Sequence, residues 1–364
     1  MDSFDYGARM ERARALMGAQ GIDVMLRSVG ADLPYFTGYR AMPLERLTML
    51  VLPAEGPATL VVPALEASRV EERPDAFAVR PWGETEDATA LVAGLCGAPG
   101  RVAVGDRTWS VFLLSLQRWL RTAAFVPASP LTRELRMRKG PEEIERLRRA
   151  GAAADRVVER LDRRTFAGKT ERCLSAEVAA MIVEEGHEVA TFNIVASGPN
   201  GASPHHEAGD RVIGDGDAVV VDFGGRLDGY CSDTTRTFFV GEPSARFLEA
   251  FAAVHAAQQA GIAAVAPGVP AGEVDGAARR VITDAGYGPF FVHRTGHGIG
   301  LDEHEHPYLV EGNAEPLEVG MTFSVEPGVY LPGEFGVRIE DIVVVTPDGA
   351  DRLNRSPRRL HVVG

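Results

Sequence analysis

Apolar residues in the first third of the chain fall into short runs separated by turn signals. Residues 8–20 carry Met10, Leu16 and Met17 on a helical repeat that Gly21 stops. Residues 22–26, 47–52 and 59–62 read as strands, the last two each closed by a proline. Short strands at 102–104 and 125–126 flank a helical stretch at 109–120. Strands alternating with helices predict a layered α/β domain. No phosphate-binding loop and no dense polar cluster falls in it, so it reads as scaffold.

Lys139-Gly140-Pro141 marks a boundary, with proline suited to the first turn of the helix it opens. Ile144, Leu147, Gly151, Ala154, Val157 and Leu161 recur at helical spacing. Further helices are expected at 170–185, 244–265 and 272–285. Between them lie β-branched runs at 192–196, 218–221, 235–240, 321–325 and 337–346. The expected organisation is an α/β N-terminal domain over 1–132 and an α+β domain over 133–364.

The chain has 364 residues, 45% hydrophobic and 24% charged, which excludes disorder over most of its length. No apolar run reaches the roughly 18 residues of a membrane span. The N-terminal stretch lacks the basic and apolar regions of a secretory signal, and three cysteines are too few for a disulfide framework. A cytoplasmic protein without membrane association is expected. The net charge of −13 repels phosphate backbones. The basic cluster from Arg133 to Arg149 is interleaved with Glu134, Glu142, Glu143 and Glu145, as on a solvated helix face. Nucleic acid is not an expected partner.

The chemistry concentrates in the C-terminal half. Six of the nine histidines, His205, His206, His293, His297, His304 and His306, lie there. Asp222 ends a buried apolar run, where an unpaired charge is costly. A turn through Gly224-Gly225 to Gly229 would pair that run with 235–240 and bring Asp233 beside Asp222. Two close carboxylates raise each other's pKa unless a cation neutralises them. A turn cap and an ion pair with Arg226 or Arg236 explain this pair equally well. The segment from His293 to Gly300 sets two histidines among glycines, which let backbone approach a site closely. Glu326 follows one apolar run, and period-two alternation puts Arg338 and Glu340 on one face of another.

The stretches VVVDFGGRLDGYCSDTTRTF, HRTGHGIGLDEHEHP, FSVEPGVY and GVRIED resemble the Xaa-Pro peptidases, prolidase and aminopeptidase P, which are dinuclear metallopeptidases of the pita-bread fold. SGPNGASPHH is similar to the family's substrate-side histidine segment, and PYFTGYR to a stretch of its N-terminal domain. The resemblance implies a creatinase-like α/β domain followed by a pita-bread catalytic domain. It implies Asp222, Asp233, His297, Glu326 and Glu340 as ligands of two divalent ions, with Asp233 and Glu340 bridging. Oxygen ligands with one imidazole suit Mn²⁺ first, with Zn²⁺ or Co²⁺ as alternatives. A hydroxide held between the ions would attack the peptide bond preceding proline. By the same resemblance Glu326 also shuttles a proton, His205 donates to the carbonyl or the tetrahedral intermediate, His293 and His304 contact substrate, and Arg338 supports Glu340. Tyr230 is expected to line the pocket or orient Asp233, and the N-terminal loop near Tyr39-Arg40 is a candidate clamp for the proline carboxylate, on its own or a neighbouring subunit. His206 and His306 read as structural, and Cys231 has no activating base. The expected substrates are Xaa-Pro dipeptides or short proline-containing peptides, and the expected assembly is a homodimer. The competing expectations are an aminopeptidase P acting on longer peptides, a creatinase-like C–N hydrolase, and a pita-bread binding module without catalysis.

Overall fold

The structure is a computed structural model that describes residues 4–364. The chain divides into two compact units, the first ending at Arg136 and the second beginning at Met137.

The first unit is built on a six-stranded mixed sheet. Its order is Phe77–Trp82, Ala58–Pro63, Met49–Pro53, Val24–Arg27, Arg101–Val104, Ala124–Pro127. The central strands are buried on both faces, which explains their apolar runs, interrupted by the buried Arg27. Val92 of the helix Ala88–Cys96 and Leu116 of the helix Ser110–Trp119 pack on Val24, Leu26, Met49, Val51 and Val102. The opening helix, Tyr6–Ala19, is capped by Asp5, whose carboxylate accepts from the Ala8 amide at 2.7 Å. The helix Ser110–Trp119 buries only Leu116, leaving Val111, Leu114 and Trp119 exposed together with the preceding Trp109.

The second unit packs helices against two larger sheets. The first sheet runs His361–Val363, Thr234–Val240, Ala218–Leu227, Val189–Ser197, with the short strand Tyr230–Cys231 pairing to Ala218–Leu227. The second runs Glu305–Leu309, Gly296–Gly298, Thr322–Val325, Asp341–Thr346, Gly349–Arg352. A two-stranded ribbon, Gly328–Leu331 with Phe335–Arg338, completes the strands. The helices Pro141–Leu161 and Glu171–Glu184 bury Val157, Leu161, Leu174, Val178 and Ile182 against Val195, Val219, Val221 and Phe238. The helices Ala245–Ala263 and Ala271–Asp284 bury Phe247, Val254, Ala278 and Ile282 with Val329, Val337 and Ile339 of the ribbon region.

Two local expectations are corrected. Gly224-Gly225 is not a turn but lies inside the strand Ala218–Leu227. A Cβ at Gly224 would meet the Ser232 carbonyl oxygen at 2.3 Å, and one at Gly225 would meet Ile182 at 2.6 Å, so neighbouring chain fills the space of a side chain. The turn falls at Asp228-Gly229, both with positive φ (49° and 82°), as a tight hairpin requires. The run 337–346 is not one strand. It breaks at Ile339-Glu340, leaving Arg338 at the end of the ribbon and Asp341 at the start of a strand in the second sheet. The Glu340 amide donates to the Thr235 carbonyl at 3.1 Å and Arg236 donates to the Glu340 carbonyl at 2.5 Å, so contacts from another strand replace the ladder there.

Candidate metal centre

Strand pairing brings the acidic residues together. Asp222 lies opposite Thr235 in the ladder between Ala218–Leu227 and Thr234–Val240, and Asp233 immediately precedes the second of these strands. Thr235 also reaches the break at Glu340, donating its hydroxyl to Glu340 Oε2 at 2.7 Å. His297, on Gly296–Gly298, and Glu326, just after Thr322–Val325, come from the second sheet. His297 Nε2 lies 3.2 Å from Glu326 Oε1 and 3.6 Å from Asp233 Oδ2. Ser324 fixes both, its Oγ accepting from the His297 amide at 3.0 Å and donating to Glu326 Oε1 at 3.0 Å.

All these groups are buried or nearly so, and charge of one sign dominates. Burial pushes the Asp233 carboxyl well above its ordinary range, and the charges of Glu340, Asp222 and Glu326 push it further. Glu340 is raised in the same way, by burial first and then by Glu326 and Asp222. Glu326 goes the other way. Burial works against its charge, but the hydrogen bond from His297 and the charges of His297, His293 and Arg338 outweigh it, bringing the carboxyl to about 2.

Three carboxylate oxygens here, Asp222 Oδ1, Asp233 Oδ1 and Glu340 Oε1, are buried with no hydrogen-bond partner. Unsatisfied buried acceptors are rare and costly. Asp233, His297 and Glu340 each offer a ligand atom within 4.8 Å of the others. Orphaned carboxylate oxygens, like charges at close quarters and one imidazole fit a divalent cation centre, since positive charge at this point supplies what every one of these oxygens lacks.

A cavity of about 680 Å³ opens onto the cluster. It is lined by all five of these residues and by His205, His293, His304 and Arg338. Arg338 is buried and donates to Asp222 Oδ2 at 2.5 Å, to the Tyr330 hydroxyl at 2.7 Å and to the Pro204 carbonyl at 3.3 Å. Burial opposes its charge, but Tyr330, Asp222 and Glu326 more than compensate. The His293 ring is used at both nitrogens: Nδ1 lies 2.7 Å from the Arg294 carbonyl and Nε2 2.8 Å from the Tyr330 hydroxyl. The Nδ1–H tautomer satisfies both contacts, with Tyr330 donating to Nε2 and accepting from Arg338. Burial keeps His293 below its ordinary value. The His304 ring sits 3.9 Å from that of His297, and burial, followed by the charge of His297, pushes it down to about 4.

Two expected site residues do not line this cavity. Tyr230 is buried with its hydroxyl donating to Glu143 of the helix Pro141–Leu161 at 2.7 Å, so it serves the contact between strand and helix. Arg40 belongs to the first unit, after the helix Asp32–Thr37, and all lining residues belong to the second. Conversely, sequence reasoning assigns nothing to Tyr330, Thr235 or Arg294. Tyr330 is a polar group inside an apolar run, which marks it; Thr235 lies in the polar stretch 232–237 and carries no such signal. Arg294 lines the cavity beside His293, with its guanidinium 4.1 Å from the centre of the Tyr308 ring.

The comparisons agree with this geometry. The model of metallopeptidase family M24 matches residues 145–347, and that of the creatinase/prolidase N-terminal domain matches residues 9–138. The crystal structure of dipeptidase PepE from Mycobacterium ulcerans is 46% identical, with each chain covered over 100% of its length and a TM-score of 0.93. That of a prolidase from Thermococcus sibiricus is 38% identical, again with 100% coverage of both chains, with a TM-score of 0.95. An Xaa-Pro dipeptidase of Lactobacillus helveticus is 36% identical over 94% of this chain and 95% of its own. The chain therefore belongs to metallopeptidase family M24, with the pita-bread fold in its second unit and a creatinase/prolidase-type domain before it.

Proposed function

We infer that this chain is a metal-dependent Xaa-Pro dipeptidase, hydrolysing the peptide bond that precedes proline. The observation that carries the reading is the set of buried, unpartnered carboxylate oxygens at the floor of a cavity that is also lined by four histidines outside the cluster. Asp222, Asp233, His297, Glu326 and Glu340 would hold two divalent ions, Mn²⁺ first among the candidates. When bound, such ions activate water as a nucleophile at neutral pH and stabilise the charge that develops on the attacked carbonyl oxygen.

The chain's own groups supply the rest. Glu326, ionised at neutral pH, takes the proton from the attacking water and passes it to the proline nitrogen as the C–N bond breaks. That nitrogen carries no hydrogen before cleavage and leaves as a secondary amine, so the proton must be delivered. His205 donates a hydrogen bond to the developing oxyanion. His304, neutral near pH 7, lies beside His297 and contacts the substrate. Arg338 holds Asp222 in place, and Tyr330 fixes the His293 ring.

Within the cavity, carboxylate recognition is assigned to Arg294. Of the two arginines lining the cavity, Arg338 already serves Asp222 and Tyr330. Arginine binds a carboxylate bidentately, and such charge-assisted bonds contribute about 1.5–3 kcal/mol.

A homodimer and a cytoplasmic location complete the proposal. The exposed apolar side chains on Ser110–Trp119 support an associating surface. None of the three cysteines forms a disulfide, and no helix among the described residues is long and apolar enough to cross a membrane. The test compares Ala-Pro, its C-terminal amide and Ala-Pro-Ala on metal-loaded enzyme. Preference for the free dipeptide supports the reading, and equal turnover of the tripeptide moves it to aminopeptidase P.

A further inference from the structure

Glu171 is the first residue of the helix Glu171–Glu184, and its side chain is fully buried. It takes no part in the metal cluster, yet it collects more hydrogen bonds than any carboxylate in that cluster. Its Oε1 accepts from the Ser197 amide at 2.8 Å, the Ser197 hydroxyl at 2.7 Å and Asn200 Nδ2 at 3.0 Å. Its Oε2 accepts from His206 Nε2 at 2.8 Å and the Gly209 amide at 3.2 Å. Burial pushes the carboxyl up, but the bonds from Ser197, His206 and Asn200 bring it below its ordinary value, so it is ionised.

Every one of these donors lies on a single segment, 197–209, and that segment carries His205. His205 is exposed at the cavity wall, while the next residue, His206, turns its ring inward to Glu171. The segment is also held from the opposite side. Arg338 donates to the Pro204 carbonyl, and Gly201 is pressed so closely on Gly336 that a Cβ on either would meet backbone within 3 Å. His205 therefore sits on a loop clamped at both ends and in the middle.

We propose that Glu171, acting through His206, is a positioning residue for catalysis: the pair fixes the 197–209 segment so that His205 meets the substrate carbonyl. This rests on the reading of His205 as the oxyanion donor. Glu171 lies outside the cavity lining, and His206, which lines the wall beside His205, commits its Nε2 to Glu171; their effect is on the aim of the neighbouring ring. Misplacement of such a group by about 1 Å lowers turnover by up to about a hundredfold.

The test is a double-mutant cycle on the metal-loaded enzyme, with His206→Leu, His205→Ala and both together. His206→Gln keeps an N–H donor where Nε2 stands and serves as the rescue. The proposal expects His206→Leu to lower kcat about tenfold or more with KM and metal content little changed, and His206→Gln to recover most of it. In the His205→Ala background His206→Leu should cost nothing further, because the ring it aims is gone. Should His206→Leu fail to fold, Asn200→Ala removes another donor from the same carboxylate and takes its place in the cycle. Losses that multiply in the double variant, an unchanged kcat in His206→Leu, or no recovery with His206→Gln overturn the proposal while leaving the role of His205 standing. An unchanged kcat in His205→Ala overturns both, and identifies the donor reading as the one that failed.

Discussion

Glu340→Gln is expected to stabilise the metal-free protein and to abolish its response to metal. In the metal-free fold Glu340 is buried, one of its oxygens has no donor, and Glu326 and Asp222 repel its charge. Leaving such a group unsatisfied costs about 1–3 kcal/mol. Glutamine keeps an oxygen for the Thr235 hydroxyl and removes the charge. For a unit of roughly 230 residues each kcal/mol moves the melting temperature by about 2–4 °C, so the chelated variant should melt roughly 2–12 °C higher than its parent. The pH dependence has a definite sign. The folded-state pKa of Glu340 lies above its unfolded value, so its contribution to stability is fully present below the unfolded pKa and is lost as pH rises through the folded one. The advantage of the variant should therefore vanish near pH 4 and grow toward neutrality. Metal acts oppositely. An ion at a hundred times its dissociation constant stabilises the parent by about 2.7 kcal/mol, a gain the variant lacks. Differential scanning calorimetry of both proteins with EDTA and with Mn²⁺, between pH 4 and 8, measures all of this. A chelated variant that melts below its parent at pH 7 would refute the claim that Glu340 waits for a cation.

Other substitutions separate holding metal from acting on substrate. His205→Ala should keep its full metal content while kcat falls by about a hundredfold or more, read by elemental analysis beside Ala-Pro hydrolysis. Arg294→Ala should cut kcat/KM for Ala-Pro by about tenfold to a hundredfold and leave the C-terminal amide little affected; the same loss on both substrates would remove Arg294 from carboxylate recognition. Leu114→Glu, on the exposed apolar helix, should shift sedimentation from dimer to monomer without unfolding the chain.

Much of this architecture is readable in the chain because local chemistry and global fold agree. Thr170 and Ser244 cap the helices they precede, accepting from the Cys173 and Phe247 amides, and Gly140-Pro141 opens a helix at the expected residue. The metal cluster is legible through the resemblance its motifs carry rather than through placement alone: a carboxylate at the end of an apolar run can equally be an ion-pair partner, as Asp341 is for Arg236. What escapes is set by contacts distant in sequence. Nothing within 337–346 signals a break; Thr235 and Arg236, about a hundred residues earlier, impose it. Gly224-Gly225 resembles a turn until the atoms occupying its missing side-chain positions are known. The edge strand Phe77–Trp82 contains Arg80 and Pro81 and lacks the apolar run that marks the central strands. Tyr230 stands two residues from Ser232 and three from Asp233, yet its hydroxyl is committed to Glu143, a partner that spacing along the chain cannot disclose.

The central claim is that five residues hold a pair of divalent ions on which Xaa-Pro hydrolysis depends. It is tested most directly by titrating chelated protein with Mn²⁺ while following bound metal and Ala-Pro cleavage in the same samples. The account predicts activity that is absent without metal and saturates near two ions per chain, and a Glu340→Gln protein that neither fills nor turns over. Full hydrolysis in the chelated protein, or saturation unaffected by Glu340→Gln, would contradict it.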